Sequence, residues 1–540
     1  MNNSDDQRPP SPVHTLRHPL SSLRELEGAP PSSAAPADVE LQLTRRYAFL
    51  SPKVVARIEG EDVVVTWPAE PESAQAAATD LFRQATEPVL RGDHEAAAAL
   101  WRQVLQQQPS HHKARHNLAR ACLTLGKLDE AKRLLLNVLW EDPQDGWALH
   151  ALAEIYILRR QIQNARGLSR LALVFHTGDA VLLNNLAALF TRAKLDEEAV
   201  PLFRAAIQAD PALPNPRLGL AESLAFRREF QESAAAIEQF LATPRAEDAD
   251  AAFFLTRARQ LYAICQSDLA DQMQPAAERE LEQLLAHTQR LAGCPVHIVH
   301  RPDAPPPHGV QIRTAWETGR NYHVVECSGL CEEPTRLHAF SQGLLRVQAE
   351  CQARQAGNGG QFAFPADFQH KILGLFDERP PGALLGEAFP LDEASARVEA
   401  SAHLVASVLA MPSVLFADAR LRQMARALRP PQFLTLCATL HSNFRDRDRS
   451  QRLLPPLLAR ADAGLLGVQA LFIDWLFPRV TDFVERSRDL DGFNLALQLW
   501  ECWQARFEKL APGDEYHMGA DFGAIAGLQG LYEIHFAGPA

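Results

Sequence analysis

Along NVLWEDPQDGWALHALAEIY, which begins at Asn137, an apolar helix-like run stops at a proline and a second apolar run opens three residues later. Proline lacks an amide donor and disfavours helix in the residue before it, so the pattern predicts helix, break, helix. The break recurs. Pro109, Pro143 and Pro211 lie 34 and 68 residues apart, and Thr177 stands where one proline is missing. With the proline as position 32 of a unit, frames begin at Ala78, His112, Gly146, Ala180 and Pro214.

Position 8 of these frames is Ala85, Ala119, Ala153, Ala187 and Ala221, and position 20 is Ala97, Ala131, Ala165, Ala199 and Ser233. Position 7 is Leu118, Leu152, Leu186 and Leu220, with Gln84 departing in the first frame. Position 11 is Cys122, Tyr156, Phe190 and Leu224, with Pro88 departing, while Trp101, Leu135, Phe203 and Ile237 occupy position 24. Two packed antiparallel helices need small residues where their backbones approach and large apolar ones around that point. The region 78–247 therefore resembles a tetratricopeptide repeat array of five units, on its small–large pattern and its period. Each hairpin leaves an apolar face that only a stacked neighbour covers, so the resemblance implies an α-solenoid.

In that family the first helix of each unit lines a concave groove. The resemblance implies that positions 2, 5, 9, 12 and 13 face inward. They supply Lys113, His116 and Arg120, then Trp147, His150 and Glu154, then Asn184 and Arg192, and finally Glu222. Cations, imidazoles and one tryptophan suit an extended peptide segment with some acidic character, and Trp and Arg often dominate interface energy. Each residue alone is equally at home on a solvated surface; the expectation rests on the groove as a whole. The carboxylate clamp of the family needs lysine and asparagine on adjacent inward positions. Arg120 and Glu154 stand where its asparagine would be, so chaperone-tail binding is not expected.

Residues 1–52 are rich in proline, serine and charge and are expected to be disordered. The alternation in 53–67 around Glu59-Gly60-Glu61-Asp62 predicts a β-hairpin. Two further helices are expected over 248–292, placed to extend the array or cap its apolar end. The texture then changes. Val296–His300, Val310–Ala315 and Tyr322–Cys327 are β-rich runs, followed by a helix near 334–356 with Leu337, Phe340, Leu344, Val347 and Cys351 on one face. This predicts a small α+β segment over 294–365.

Strands leading into a helix resemble the lead-in of zincin metallopeptidases. Where that family has its H-E-x-x-H ligands, however, this chain has Gln342, Gly343 and Arg346, with Glu350 four residues on. Arginine offers zinc no lone pair. From the residues alone, His338, Gln342, Arg346 and Glu350 form a polar stripe with Arg346 and Glu350 spaced for an ion pair. Cys327-x3-Cys331 with His323 and His338 sits at the loose end of zinc spacing. His297-x2-His300 points to opposite faces of a strand, so no metal or cofactor is expected. Nucleophile and phosphate-loop motifs are absent. GNGGQ from Gly357 suits a helix stop with a left-handed glycine. From 366 to 540 the chain is expected to be a helical domain, broken at Pro412, Pro430-Pro431, Pro455-Pro456 and Pro478.

Composition narrows this further. The 540 residues are 46% hydrophobic with a formal charge of −12, enough for a sizeable core but unsuited to a general nucleic-acid binder. The eight cysteines are scattered, and Cys122, Cys265 and Cys437 lie in apolar helix-like runs, as in a reducing compartment. The N-terminal residues lack the apolar core of a signal peptide, and no apolar run of about 18 residues appears, so a cytoplasmic protein without a bilayer span is expected. The combined expectation is a mainly α, non-enzymatic scaffold holding a partner segment in its groove. The alternative is a hydrolase or transferase with its site in 294–540 and the repeats selecting substrate.

Overall fold

The computed structural model describes residues 13–31, 33–243, 249–303, 309–329, 333–376 and 393–536, and divides into two compact units, 1–228 and 229–540. The division falls inside the fifth sequence frame, between its two helices.

In the first unit β1 (Val13–Pro19), β2 (Val55–Glu59) and β3 (Asp62–Pro68) form an antiparallel sheet in the order β1-β3-β2. Gly60, at φ 67°, supplies the left-handed backbone of the tight β2–β3 turn. Pairing of Val13 with Pro68 through to Pro19 with Asp62 adds β1 on the other edge of β3. Between β1 and β2 run α1 (Leu20–Leu23), α2 (Pro36–Arg46) and a 3-10 turn at Tyr47–Phe49. The expected disorder of 1–52 is therefore corrected from Val13 onward. Residues 1–12 and Ser32 lie outside the described residues. Averaged composition concealed Leu23, Leu43, Tyr47 and Leu50, all fully buried, whose cover comes from distant parts of the chain. Tyr47 meets Trp140 edge-on at 5.6 Å and donates to its carbonyl at 2.8 Å.

The hairpins follow: α3 (Glu72–Gln84), α4 (Thr86–Leu90) and α5 (His94–Gln107); α6 (His112–Thr124) with α7 (Leu128–Glu141); α8 (Gly146–Leu158) with α9 (Ile162–Phe175). Then come α10 (Ala180–Arg192), α11 (Asp196–Ala209) and α12 (Asn215–Phe226). The alanines at positions 8 and 20 in this unit are wholly buried, and Leu152, Leu186 and Phe190 fill the space around them. Position 15 carries a second regularity. Gly92, Gly126, Arg160, Lys194 and Arg228 all adopt positive φ, between 56° and 74°. At Gly126, Arg160 and Lys194 the next residue's amide reaches back to the carbonyls of Cys122, Tyr156 and Phe190 at 2.8–2.9 Å, the bond that closes a Schellman helix end.

The second unit begins with α13 (Phe230–Ala242) and α14 (Ala249–Ala292). Two helices were expected over 248–292, but α14 is one helix of 44 residues that carries Pro275 inside it. Its burial against neighbouring helices overrides the cost of a single proline. A mixed sheet follows, with β4 (Val296–Arg301) parallel and β5 (Gly309–Arg313) antiparallel to a central β6 (His323–Ser328). After α15 (Ala315–Thr318), which precedes β6, comes α16 (Glu333–Gln355), whose Leu337, Phe340, Leu344, Val347 and Cys351 join the core beneath that sheet. Gly357, at φ 74°, ends α16.

Next are β7 (Gly360–Ala363), α17 (Phe368–Gly374), α18 (Glu393–Met424), α19 (Arg429–Leu453) and α20 (Pro456–Leu476). The chain closes with α21 (Phe483–Ser487), α22 (Phe493–Phe507), α23 (Asp514–Ile525) and β8 (Glu533–Phe536). Two expectations change here. β8 pairs with β7, so the region after 366 is not purely helical and is tied to the preceding segment. Pro412 lies within α18 rather than breaking it. Two helices, Ala394–Met424 and Pro456–Leu476, are also long and apolar enough to cross a membrane, against the expectation that no such run exists. Their most apolar windows are 50% and 61% buried within the protein, as core helices are. The aromatic face of α22 is turned inward as well: Trp503 is fully buried and lies 5.4 Å from the ring of Trp475 on α20.

Candidate functional site

The first helices of the repeats start from polar caps at the same register. Asp145 accepts from the Ala148 amide at 2.8 Å and Asp179 from that of Leu182 at 2.9 Å, while His111 Nδ1 accepts from Ala114 at 3.1 Å. These caps set where the first turn of each helix presents its side chains. In α8 that turn presents Trp147, whose ring lies 4.2 Å from the imidazole of His116 on α6. His116 Nε2 is 3.6 Å from Asp145. Trp147 and His150 then line a cleft of about 740 Å³ together with Phe175, His176, Asp179 and Asn185. Gly146, at the same rim, has no space for a side chain, since a Cβ there would stand 2.6 Å from Leu182.

Electrostatics make the imidazoles of this wall neutral acceptors and donors. Burial holds His116, His150 and His176 below the ordinary value of 6.5. For His150 the Arg192 cation adds to the effect and Glu154 opposes it. His112 goes the other way, raised by its bond to Glu141 at 3.2 Å.

Of the nine residues expected in the groove, Lys113, Arg120, Glu154 and Arg192 are exposed, and His116, Trp147, His150, Asn184 and Glu222 are half-buried. His116, Trp147 and His150 are brought together, with Arg120 near His116 and with Glu154 and Arg192 near His150. Lys113, Asn184 and Glu222 are not among the cleft-lining residues. Gln144, Phe175 and His176 were missed, because they sit at positions 33, 30 and 31, in the last turn of second helices and the loop after them. Attention to first-helix positions alone excludes them.

Among the described residues, the N-terminal segment from Val13 is not among those lining the cleft at Trp147, and it docks elsewhere in this unit. Glu27 bonds Lys132 at 2.8 Å, Tyr156 at 2.8 Å and Asn164 at 3.2 Å, and Glu25 pairs with Arg170 at 2.6 Å. Most of these partners lie on the second helices α7 and α9. Burial works against ionisation of Glu27, but its bonds to Lys132 and Tyr156 outweigh it and hold its carboxyl below the ordinary value. Gly167 permits the approach, since a Cβ there would stand 2.7 Å from the Glu25 carbonyl.

The zincin-like positions of α16 have other occupations. His338 Nε2 lies 2.6 Å from Asp418 Oδ1, Gln342 donates to Asp418 Oδ2 at 2.6 Å, and Gln432 donates to the Asp418 carbonyl at 2.7 Å. Gly343 packs on the sheet, where a Cβ would stand 2.4 Å from Val325. The expected Arg346–Glu350 ion pair is absent. Glu350 instead accepts from Trp316 Nε1 at 2.7 Å and lies 3.8 Å from Arg354, because the sheet side of the helix offers these partners. Burial pushes the Glu350 carboxyl up to about 7. His323 is buried and accepts from the Ala315 amide at 3.1 Å, and His300 Nε2 is 3.1 Å from the Gly329 carbonyl. Cys331 lies outside the described residues. Among the described residues no group of three or more His, Cys, Asp or Glu is placed to hold a metal ion.

Comparison with known proteins agrees with the hairpin geometry. A tetratricopeptide repeat model matches residues 89–155. No curated protein matches the chain. Among solved structures, a crystal structure of MamA is 15% identical, covering 31% of this chain and 91% of that one at a TM-score of 0.28. YrrB, described as a repeat protein with an unusual peptide-binding site, is 15% identical over 32% of this chain and 88% of its own, at 0.27. PilF of Pseudomonas aeruginosa is 17% identical over 37% and 92%, at 0.28. The zincin likeness finds no counterpart among these matches. The chain is mainly α, its first unit carries an array of capped, closely packed helical pairs, and a tetratricopeptide repeat model matches that array over residues 89–155.

Proposed function

We propose that the chain is a non-enzymatic scaffold whose repeats hold a partner protein segment along the first-helix wall. The observation that carries this reading is the cleft of about 740 Å³ at Trp147 and His150, open on a wall where none of the nine groove residues is fully buried. Trp147, Phe175, Val181 and Leu182 offer apolar contact, and the neutral imidazoles offer hydrogen bonds without a charge penalty. Arg120 and Arg192, exposed at either side, favour a segment that carries acidic residues next to an apolar or aromatic anchor. An anchor in a pocket with a charged rim is the pattern in which a few residues dominate binding.

A cytoplasmic location without nucleic-acid or bilayer contact belongs to the same proposal. It is supported by the charge of −12 and by the unbridged state of Cys122, Cys265, Cys294, Cys327, Cys351, Cys437 and Cys502.

The test uses the full chain against a displayed library of 12-residue peptides, followed by affinity measurement on the selected sequences. Selection of peptides combining an aromatic and acidic residues is expected. The Trp147→Ala/Arg120→Ala double variant should weaken them by at least about tenfold with unchanged thermal unfolding. Equal affinity in the double variant overturns the reading.

A further inference from the structure

The second unit holds a half-open cavity with an unpartnered, half-buried cation in its wall that the groove reading does not use. Arg346 projects from α16 into a cavity of about 600 Å³ walled by α16, α18, α19 and α20. Among the described residues it makes no hydrogen bond or ion pair, and its Nε is buried without a partner. A guanidinium in a protein interior is ordinarily matched by a carboxylate or a bound anion, because its desolvation is costly. Burial accordingly lowers its pKa, with Glu350 and Asp418 opposing from a distance. Glu350 is committed to Trp316 and Arg354, and Asp418 to His338, Gln342 and Gln432. Neither is left over for Arg346.

The rest of the lining defines what fits. Leu404 and Met411 of α18 face Leu465 and Leu466 of α20 across the cavity, which suits an apolar body. Asp462 of α20 and Asp446 of α19 also line it, and burial pushes the Asp462 carboxyl up to about 6. Among the described lining residues one guanidinium, Arg346, stands with two carboxyl groups, of which Asp446 pairs with Arg445 and Asp462 lies in the field of Arg447. A doubly charged phosphate would be under-neutralised by the single guanidinium of Arg346. A single carboxylate matches the fork of one guanidinium, and an amine further along the same molecule would meet Asp462.

We propose that this cavity is a binding site for a small amino-carboxylate, with its carboxylate on Arg346, its apolar body against α18 and α20, and its amine toward Asp462. The site is independent of the repeat groove. Its shape is that of a small-molecule pocket: concave, largely apolar, with few convergent polar groups.

The test is calorimetry and thermal unfolding of the full chain at neutral pH with 6-aminohexanoate, hexanoate, hexylamine and inorganic phosphate as probes. The expected order is 6-aminohexanoate tighter than hexanoate, with hexylamine and phosphate without effect. Arg346→Gln should weaken both carboxylates at least about tenfold, while Asp462→Asn should weaken 6-aminohexanoate and leave hexanoate unchanged. Without any probe, Arg346→Gln should unfold at the same temperature as the parent or higher, because it removes an unmatched buried charge. Phosphate binding as strong as carboxylate binding, no carboxylate binding at all, or carboxylate affinity unchanged in Arg346→Gln would each overturn the proposal. So would a marked drop in the unliganded unfolding temperature of Arg346→Gln, which would make Arg346 a structural residue.

Discussion

On the repeat wall Lys113, Arg120 and Arg192 stand in solvent, whereas in the second unit Arg346 is half-buried, its Nε buried, with neither hydrogen bond nor ion pair among the described residues. The same charge has different consequences in the two places. Water satisfies the wall cations, so they add steering and modest affinity to whatever segment lies along them. Partial burial limits that option for the Nε of Arg346, which lies buried without a partner.

The two regions also differ in how they spend identical spacing. Positions 8 of the repeats have equivalent surroundings in each hairpin, because each neighbour is a copy of the same packing problem. The four-residue steps of α16 lead to three different fates: His338 and Gln342 bind Asp418, Arg346 lines the cavity, and Glu350 meets Trp316. Their partners come from 34 to 80 residues away in sequence.

Three changes would break or sharpen this contrast. The largest effect should come from Asp418→Ala, which strands His338, Gln342 and Gln432 in a fully buried site. A loss of about 3–5 kcal/mol is expected in denaturant unfolding of the second unit, and a loss below about 1 kcal/mol would mean the network is incidental. Next is Ala187→Leu at position 8, where wholly buried contact leaves no space. Overpacking should cost about 1–3 kcal/mol, and a neutral outcome would show that the repeats yield where the regularity says they cannot. The smallest effect, of opposite sign, belongs to Lys194→Gly. Lys194 holds φ 59° at the register where Gly92 and Gly126 stand, so glycine should relieve left-handed strain and stabilise the first unit by about 1 kcal/mol. A destabilised variant, measured by thermal unfolding, would contradict the shared role of that position.

Position 15 shows how much of the repeats was legible and where the reading stopped. Gly92 and Gly126 are 34 residues apart and announce a left-handed helix end, but Arg160, Lys194 and Arg228 carry the same backbone under side chains that give no hint of it. The candidate wall was legible to a similar degree. Trp147, His116 and His150 followed from the frame, while Phe175 and His176 enter from a second helix whose last turn bends to the same rim. The N-terminal residues from Val13 were illegible for a different reason. Glu25, Glu27 and Tyr47 have polar or aromatic identities that suit a solvated tail, and only Arg170, Lys132 and Trp140 convert them into structure.

Taken alone, the order of amino acids decided the hairpins: their period, their small contact points and their breaks. Those are near-neighbour matters, in which each residue's surroundings repeat at a constant offset along the chain. The three-dimensional fold alone decided that the N-terminal segment from Val13 docks mostly on second helices, that β8 closes on β7, and that the Nε of Arg346 is buried without a partner. In each of these the free energy comes from a contact between distant segments, and no offset along the chain encodes it.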